Sequence, residues 1–212
     1  MKVGVSFLTS PKTREETLKL IDESTADYIH VDMMDGVFVP STNCLIPEIK
    51  EISKITTKPL DIHVMACSPN KYVKDLAKIK NAEYITIHYE AHRRPIDVIN
   101  QMRHSNIKIG IAINPETKLS HIIPLLHLVD QVLIMSVNPG KGGQPFMESV
   151  LYKVESLKEL REENNFHYII SIDGGINNET AKLAKDAGVD MLVSGSYITK
   201  SDDYNKAIES LR

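Results

Sequence analysis

YIHVDMMDG, residues 28–36, is the stretch from which the fold of this 212-residue chain can be predicted. Its apolar start and polar end are typical of a buried strand that ends at a turn, here at Asp35 and Gly36. Side chains two residues apart on a strand share a face, so His30 and Asp32 project together. Such a pair begins a metal or acid–base site, or it is a buried histidine hydrogen-bonded to its neighbour. The stretch alone favours the buried hydrogen bond.

Strand-like and helix-like segments alternate along the whole chain. Apolar segments predict eight strands, at 3–8, 28–32, 60–65, 84–88, 107–113, 131–136, 168–173 and 191–193. Amphipathic segments predict a helix after each strand, within 13–23, 46–55, 70–80, 96–103, 119–128, 145–164, 179–187 and 203–211. This pattern predicts an α/β fold, a (β/α)8 TIM barrel that forms a single domain over residues 1–212. The alternative is an open doubly wound sheet, but no G-x-G-x-x-G motif follows the first strand.

Composition excludes several classes of function. The formal net charge is −3 and no long run of like charges occurs, so we expect neither a nucleic-acid nor a membrane surface. No apolar segment approaches the roughly 20 residues of a membrane span, and the N-terminus lacks a signal-peptide pattern. The cysteines, Cys44 and Cys67, do not make a disulfide framework, and no ligand role is expected for Cys67. We therefore expect a soluble, cytoplasmic protein with reduced thiols.

The barrel hypothesis gives the polar strand ends a common location, because active sites of such barrels lie at the C-terminal ends of the strands. His30, Asp32, His63 and Asp173 end three of the predicted strands and would converge on one mouth. Each alone is more often a structural polar group. The four together predict a site for one divalent first-row metal ion such as zinc. His88 ends the fourth strand and is expected behind the ligands or facing the substrate.

Glycine-rich turns follow the last three predicted strands. Glycine lets backbone N–H groups approach a ligand closely, and barrels often bind phosphate after strands seven and eight, beside a short helix. The turns contain Gly140, Lys141, Gly142 and Gly143, then Gly174 and Gly175, then Gly195 and Ser196. Residues 197–199 could form the short helix. Tight turns also require glycine, but the last two turns together favour a phosphate site.

Two carboxylates, on Asp32 and Asp173, belong to strands that lie across the barrel mouth from each other. A small phosphorylated substrate between them would present one carboxylate to each face of a carbon. This placement suits removal of a proton from one face and its return to the other. A metal ion beside a carbonyl oxygen would stabilise the intermediate enediolate.

Seven segments carry a resemblance that covers essentially the whole chain. They are IHVDMMDGVFVP (29–40), PLDIHVM (59–65), NPET (114–117), MSVNPG (135–140), GGQ (142–144), IDGGI (172–176) and SGS (194–196). In these segments the sequence resembles the ribulose-phosphate 3-epimerase family. The resemblance implies a TIM barrel of the ribulose-phosphate-binding type that interconverts D-ribulose 5-phosphate and D-xylulose 5-phosphate by inversion at C3.

The resemblance also implies roles for individual residues. The implied metal ligands are His30, Asp32, His63 and Asp173, and Asp32 and Asp173 form the implied catalytic acid–base pair. The implied substrate contacts are Ser6, His63, Met34, Met65, Met135, Gly140, Lys141, Gly142, Gly143, Gly174, Gly175, Gly195 and Ser196. The implied metal is zinc or iron(II), and sometimes manganese or cobalt. A homo-oligomer is also expected.

Some residues depart from the family pattern without removing a ligand. Lys141 stands where the family usually has Phe, and Ser41 where it commonly has Asn. Both lie on substrate-facing loops, so a D-allulose 6-phosphate 3-epimerase is an alternative. Related barrel decarboxylases and aldol lyases place a Lys after the strand-end Asp, where this chain has Met33 and Met34. A non-catalytic phosphosugar-binding barrel is the alternative from another class, and it would be expected to lose a ligand or a carboxylate.

Overall fold

The computed structural model describes residues 1–212, and its strands form one sheet. The strands are β1 (Lys2–Ser6), β2 (Tyr28–Asp35), β3 (Thr42–Asn43), β4 (Leu60–Met65), β5 (Ala82–His88), β6 (Lys108–Ile113), β7 (Gln131–Met135), β8 (Ile169–Asp173) and β9 (Met191–Ser194). All except β3 run parallel, and β1 pairs with both β2 and β9, which closes the barrel. The closure confirms the predicted TIM barrel and excludes the open sheet.

The short strand β3 is not predicted by the sequence, and it runs antiparallel to β2 at the barrel mouth. Asp35 forms the turn that leads to it. Its Oδ1 accepts hydrogen bonds from the N–H groups of Val37 and Phe38, both at 2.9 Å. Its Oδ2 accepts one from the N–H of Cys67 at 2.8 Å. The carboxylate therefore ties the loop after β2 to the loop after β4.

Helices cover the outside of the barrel. They are α1 (Arg14–Glu23), α2 (Ile46–Ile55), α3 (Val73–Leu76), α4 (Pro95–Met102), α5 (Leu151–Asn164), α6 (Thr180–Ala187), α7 (Ser196–Thr199) and α8 (Tyr204–Glu209). A capping box begins α1: the Thr13 side chain accepts a hydrogen bond from the Glu16 N–H, and the Glu16 carboxylate accepts one from the Thr13 N–H. None of the helices has both the length and the apolarity that crossing a membrane requires.

Two of the predicted helices are wrong in extent. The segment predicted as one helix over 119–128 forms two 3₁₀ turns, Leu119–His121 and Ile123–Leu128. Pro124 explains the break, because proline has no N–H to donate and its ring clashes with the preceding turn. Of the helix predicted over 70–80, only α3 forms as an α-helix. The N–H groups of the last residues of this segment donate to carbonyl oxygens three residues earlier, as in a 3₁₀ turn, before the chain enters β5.

Most of the hydrophobic core lies between the sheet and the helices. Inside the barrel, a separate cluster containing Tyr28, Tyr84 and Met191 fills the N-terminal end. The ammonium groups of Lys2 and Lys108 lie 5.2 and 5.0 Å from the ring centroids of Tyr28 and Tyr84, respectively. The barrel is therefore closed at this end, and the polar strand ends face the opposite mouth.

Gly110→Ala is expected to destabilise the barrel by about 1–3 kcal/mol, the usual cost of overpacking. Gly110 on β6 is in register with Thr86 on β5, and a Cβ there would overlap the Thr86 hydroxyl and lie 2.8 Å from its Cβ. Urea unfolding measures the change. Gly4→Ala on β1 is the matched control, because its Cβ would meet no atom closer than 3.7 Å. Equal losses in both variants would contradict the steric explanation.

Candidate active site and metal centre

Four side chains meet at the C-terminal mouth of the barrel, as the sequence predicts. They are His30, Asp32, His63 and Asp173, and one nitrogen or oxygen from each lies within 4.8 Å of all the others. Strand register explains the meeting, since Asp32 on β2 is paired with His63 on β4. The first three are buried, and the Asp173 side chain is 19% exposed.

Two buried nitrogens test whether this group fits a metal ion. Nε2 of His30 and Nδ1 of His63 have no hydrogen-bond partner. Each lies 3.5 Å from Oδ1 of Asp32 and 3.9 Å from Oδ2 of Asp173. Leaving two such nitrogens unpaired is costly, and two imidazoles with two carboxylates are ligands that zinc and similar divalent ions accept. The group could therefore hold a divalent metal ion.

His30 is oriented by a residue that the sequence analysis missed. Its Nδ1 lies 2.8 Å from Oδ2 of Asp61, which is fully buried and pairs with His30 across β2 and β4. The carboxylate accepts a hydrogen bond from Nδ1–H, and Nε2 is left with its lone pair toward the cluster. A signal was present, because Asp61 precedes His63 by two residues and must share its face of the strand.

His63 is oriented by a longer chain of hydrogen bonds. Its Nε2 lies 2.8 Å from Nε2 of His88, whose Nδ1 lies 3.1 Å from Oε2 of Glu90. Burial lowers the pKa of His88 to about 4. Burial alone would raise the pKa of Glu90, but hydrogen bonds from His88, Thr117 and the Asn114 N–H outweigh it and lower this pKa to about 2. An ionised Glu90 accepts from His88, His88 accepts from His63, and the His63 lone pair is left on Nδ1. His88 thus lies behind a candidate ligand, one of its two predicted placements.

The loop that supplies the partners of Glu90 is held by a buried lysine. Lys153 on α5 is 1% exposed, and its ammonium donates to the carbonyl oxygens of Asn114, Pro115 and Thr117 at 3.1, 2.7 and 2.8 Å. This cation satisfies three carbonyls at once. It fixes the loop from outside the barrel and is a second residue that sequence reasoning missed.

The two carboxylates of the cluster have opposite pKa shifts. Burial raises the pKa of Asp32, but the imidazoles of His30 and His63 outweigh it, and the net shift is downward. The Ser6 hydroxyl also donates to Oδ2 of Asp32 at 2.7 Å. Burial and the carboxylate of Asp32 raise the pKa of Asp173 to about 7. The chain's own groups therefore favour a proton on Asp173 over one on Asp32.

A cavity of about 510 Å³ opens above the cluster. Its lining includes nearly all residues predicted to contact substrate: Ser6, Met34, Met65, Met135, Gly140, Lys141, Gly142, Gly143, Gly174, Gly175, Gly195 and Ser196. The exception is His63, which is fully buried behind the carboxylates. The size is ample for a small phosphorylated sugar.

The glycines cluster at one end of this cavity, beside the predicted short helix, which the structure contains as α7. Gly174 and Gly175 have φ angles of +120° and +64°, which side chains other than glycine rarely adopt. A Cβ on Gly175 would also lie 2.6 Å from the backbone nitrogen of Phe146. Backbone N–H groups could therefore approach an anion closely here, and a phosphate site at this end stays a prediction.

Comparisons with known proteins agree with this geometry. The model of the "Ribulose-phosphate 3 epimerase family" matches residues 2–199. Ribulose-phosphate 3-epimerases of Methanocaldococcus jannaschii and Helicobacter pylori are 39% and 40% identical over all of this chain, which covers 90% and 97% of their lengths.

Structural similarity extends to more distant barrels. The structure of 3-hexulose-6-phosphate synthase from Salmonella typhimurium superposes with a TM-score of 0.74 at 17% identity, covering 100% of this chain and 96% of the other. This likeness confirms the fold alone.

The named activity of the sequence relatives is that of an isomerase, which confirms the predicted enzyme class. The chain therefore belongs to the ribulose-phosphate 3-epimerase family.

Proposed function

We propose that this protein interconverts D-ribulose 5-phosphate and D-xylulose 5-phosphate by inverting the configuration at C3. The observation that carries the proposal is a placement: the carboxylates of Asp32 and Asp173 lie together on the floor of one cavity. Membership of the family and the glycine-lined end of the cavity support the phosphosugar as substrate.

Asp32 and Asp173 would do the proton transfer. Three strand steps separate β2 from β8 in one direction around the barrel and five in the other, so the two carboxylates approach the cavity from different sides. Ionised Asp32, held by Ser6, takes the C3 proton from one face. Protonated Asp173 returns a proton to the other face, and the roles exchange in the reverse direction.

The other residues of the site would stabilise the enediolate intermediate and keep water away from it. When a divalent ion is bound by His30, Asp32, His63 and Asp173, it supplies positive charge that stabilises the enediolate. Met34, Met65 and Met135 line the cavity beside the carboxylates. Their polarisable thioethers present an apolar surface that excludes water from the intermediate.

Solvent deuterium tests the reaction. In D₂O, each ketose phosphate is expected to gain deuterium at C3 as its epimer forms, because both carboxylates exchange protons with solvent between turnovers. Proton NMR measures the loss of the C3 signal. Epimerisation with full retention of the original hydrogen would contradict transfer through two side chains.

Substrate identity is tested in a parallel assay. We expect kcat/KM for D-ribulose 5-phosphate to exceed that for D-allulose 6-phosphate by at least about tenfold, since one extra carbon must fit a preformed site. A preference for the hexulose phosphate would replace the proposed substrate. Absence of turnover with both, in protein of known metal content, would favour a non-catalytic phosphosugar-binding barrel.

A further inference from the structure

The cavity has an uneven distribution of charge. Three acidic residues line it, Asp32, Glu148 and Asp173, whereas Lys141 is its only lysine or arginine. A phosphorylated ligand would bring further negative charge into this space. The glycine-rich turns offer neutral backbone donors, so Lys141 is the one side chain that can supply a full positive charge from the protein.

The backbone on both sides of Lys141 is held in place. The Gln144 side chain donates to the carbonyl oxygens of Lys141 and Asn138, at 2.6 and 2.7 Å. The Ser41 hydroxyl donates to the carbonyl oxygen of Gly140 at 3.0 Å. The root of the lysine is thus fixed at the rim of the cavity, and its side chain is the part that can move.

This fixed loop lies against the glycine-lined end of the cavity. A Cβ on Gly142 would collide with the Thr9 side chain, and a Cβ on Gly195 would lie 3.4 Å from the Thr9 hydroxyl. One threonine therefore separates the residue after Lys141 from the turn that begins α7. A Cβ on Gly175 would lie 3.0 Å from the carbonyl oxygen of Gln144, so the other glycine turn touches the same loop.

The ammonium of Lys141 is exposed and makes no hydrogen bond or ion pair within the chain. An arriving anion would therefore not have to displace an internal partner. Lysine is also a compact charge on a flexible stem, which suits a phosphate that is already positioned by rigid backbone donors.

We propose that Lys141 is the side-chain cation that pairs with the substrate's phosphate and favours phosphorylated over unphosphorylated ketoses. This inference rests on the proposed function, because the phosphosugar is the ligand it assumes. The role is one of binding and selectivity: Lys141 lies on the rim loop, and proton transfer belongs to the carboxylates of the floor.

Inorganic phosphate is the probe that separates this inference from the reaction itself. Isothermal titration would measure phosphate binding to wild-type protein and to Lys141→Met, Lys141→Gln and Lys141→Arg. Lys74→Met is the matched control, since Lys74 is an exposed lysine on α3 without an ion pair. We expect the dissociation constant to rise about three- to tenfold in the Met and Gln variants at low salt. The difference should shrink as added salt screens the charge, and Lys141→Arg should retain most of the affinity.

Steady-state kinetics with D-ribulose 5-phosphate completes the test. KM should rise by a similar factor in Lys141→Met, with kcat within about twofold of wild type and metal content unchanged. Phosphate binding that is equal in wild type and Lys141→Met, or absent from the wild type at millimolar concentrations, would overturn the inference, as would a lower kcat with unchanged KM. If the wild type fails to epimerise either ketose phosphate but loses phosphate affinity on Lys141→Met, the proposed reaction is wrong and the role of Lys141 in binding phosphate stands.

Discussion

Asp173→Asn is expected to lower kcat for epimerisation by about 10²- to 10⁴-fold, the range that a positioned acid or base contributes. The amide has nearly the same shape but cannot carry the proton that the second face of C3 requires. The variant should remain folded. The carboxylate accepts no hydrogen bond from the chain, while the main-chain oxygen of Asp173, which accepts from the Ser136 hydroxyl at 2.9 Å, is unchanged.

Deuterium exchange separates loss of the acid–base role from loss of metal. With Asp32 intact, Asp173→Asn should still exchange the C3 hydrogen of one of the two ketose phosphates, without converting it to its epimer. Asp186→Asn serves as the control, because Asp186 is exposed on α6 and has no ion pair. Near-wild-type turnover by folded Asp173→Asn, with measured metal content, would refute the two-carboxylate scheme.

Asp61→Asn is expected to weaken metal binding by about 10- to 100-fold, as loss of a carboxylate behind a ligating histidine usually does. The buried Asp61 carboxylate fixes Nε2 of His30 as the nitrogen with the lone pair. An amide removes the charge that favours this tautomer, and it can turn its own N–H toward the ring. Competition with a chromophoric chelator measures the affinity, and excess metal should restore activity.

Glu90→Gln provides the second variant if Asp61→Asn folds poorly. Glu90 acts on His63 through His88, so the expected loss of metal affinity has the same sign and a smaller size. Circular dichroism confirms the fold of each variant. Wild-type affinity in both folded proteins would show that these carboxylates do not orient the histidines.

The barrel was predictable because its signals are local and repeated. Each strand is a short apolar run, and each turn that follows has polar or glycine residues. Helix length was less predictable, since the apolar pattern of 119–128 shows which face is buried but not that Pro124 divides the segment. The two-residue strand β3 has no apolar pattern of its own, and it forms only because β2 offers a free edge beyond the barrel.

The candidate ligands were predictable, and so was His88 behind one of them, but Asp61 and Lys153 were not predicted. The spacing of His30 and Asp32 is enough to predict that they share one face of the strand. The partnership of His30 with Asp61 depends on the register between β2 and β4, which the sequence does not specify. The role of Lys153 could not be predicted either, because its position in an amphipathic helix does not show that its ammonium reaches the loop after β6.

The cluster of Tyr28, Tyr84 and Met191, with the Lys2 and Lys108 ammonium groups beside its rings, closes the N-terminal end of the barrel and limits how ligands reach the site. With Tyr28 and Tyr84 closing that end, the buried histidines face the opposite mouth, where the Asp173 side chain is partly exposed. A metal ion and a sugar phosphate that bind as proposed would therefore enter through the same mouth. A sugar in the cavity would cover an ion held by the cluster below it, so we expect substrate to slow the loss of metal to a chelator.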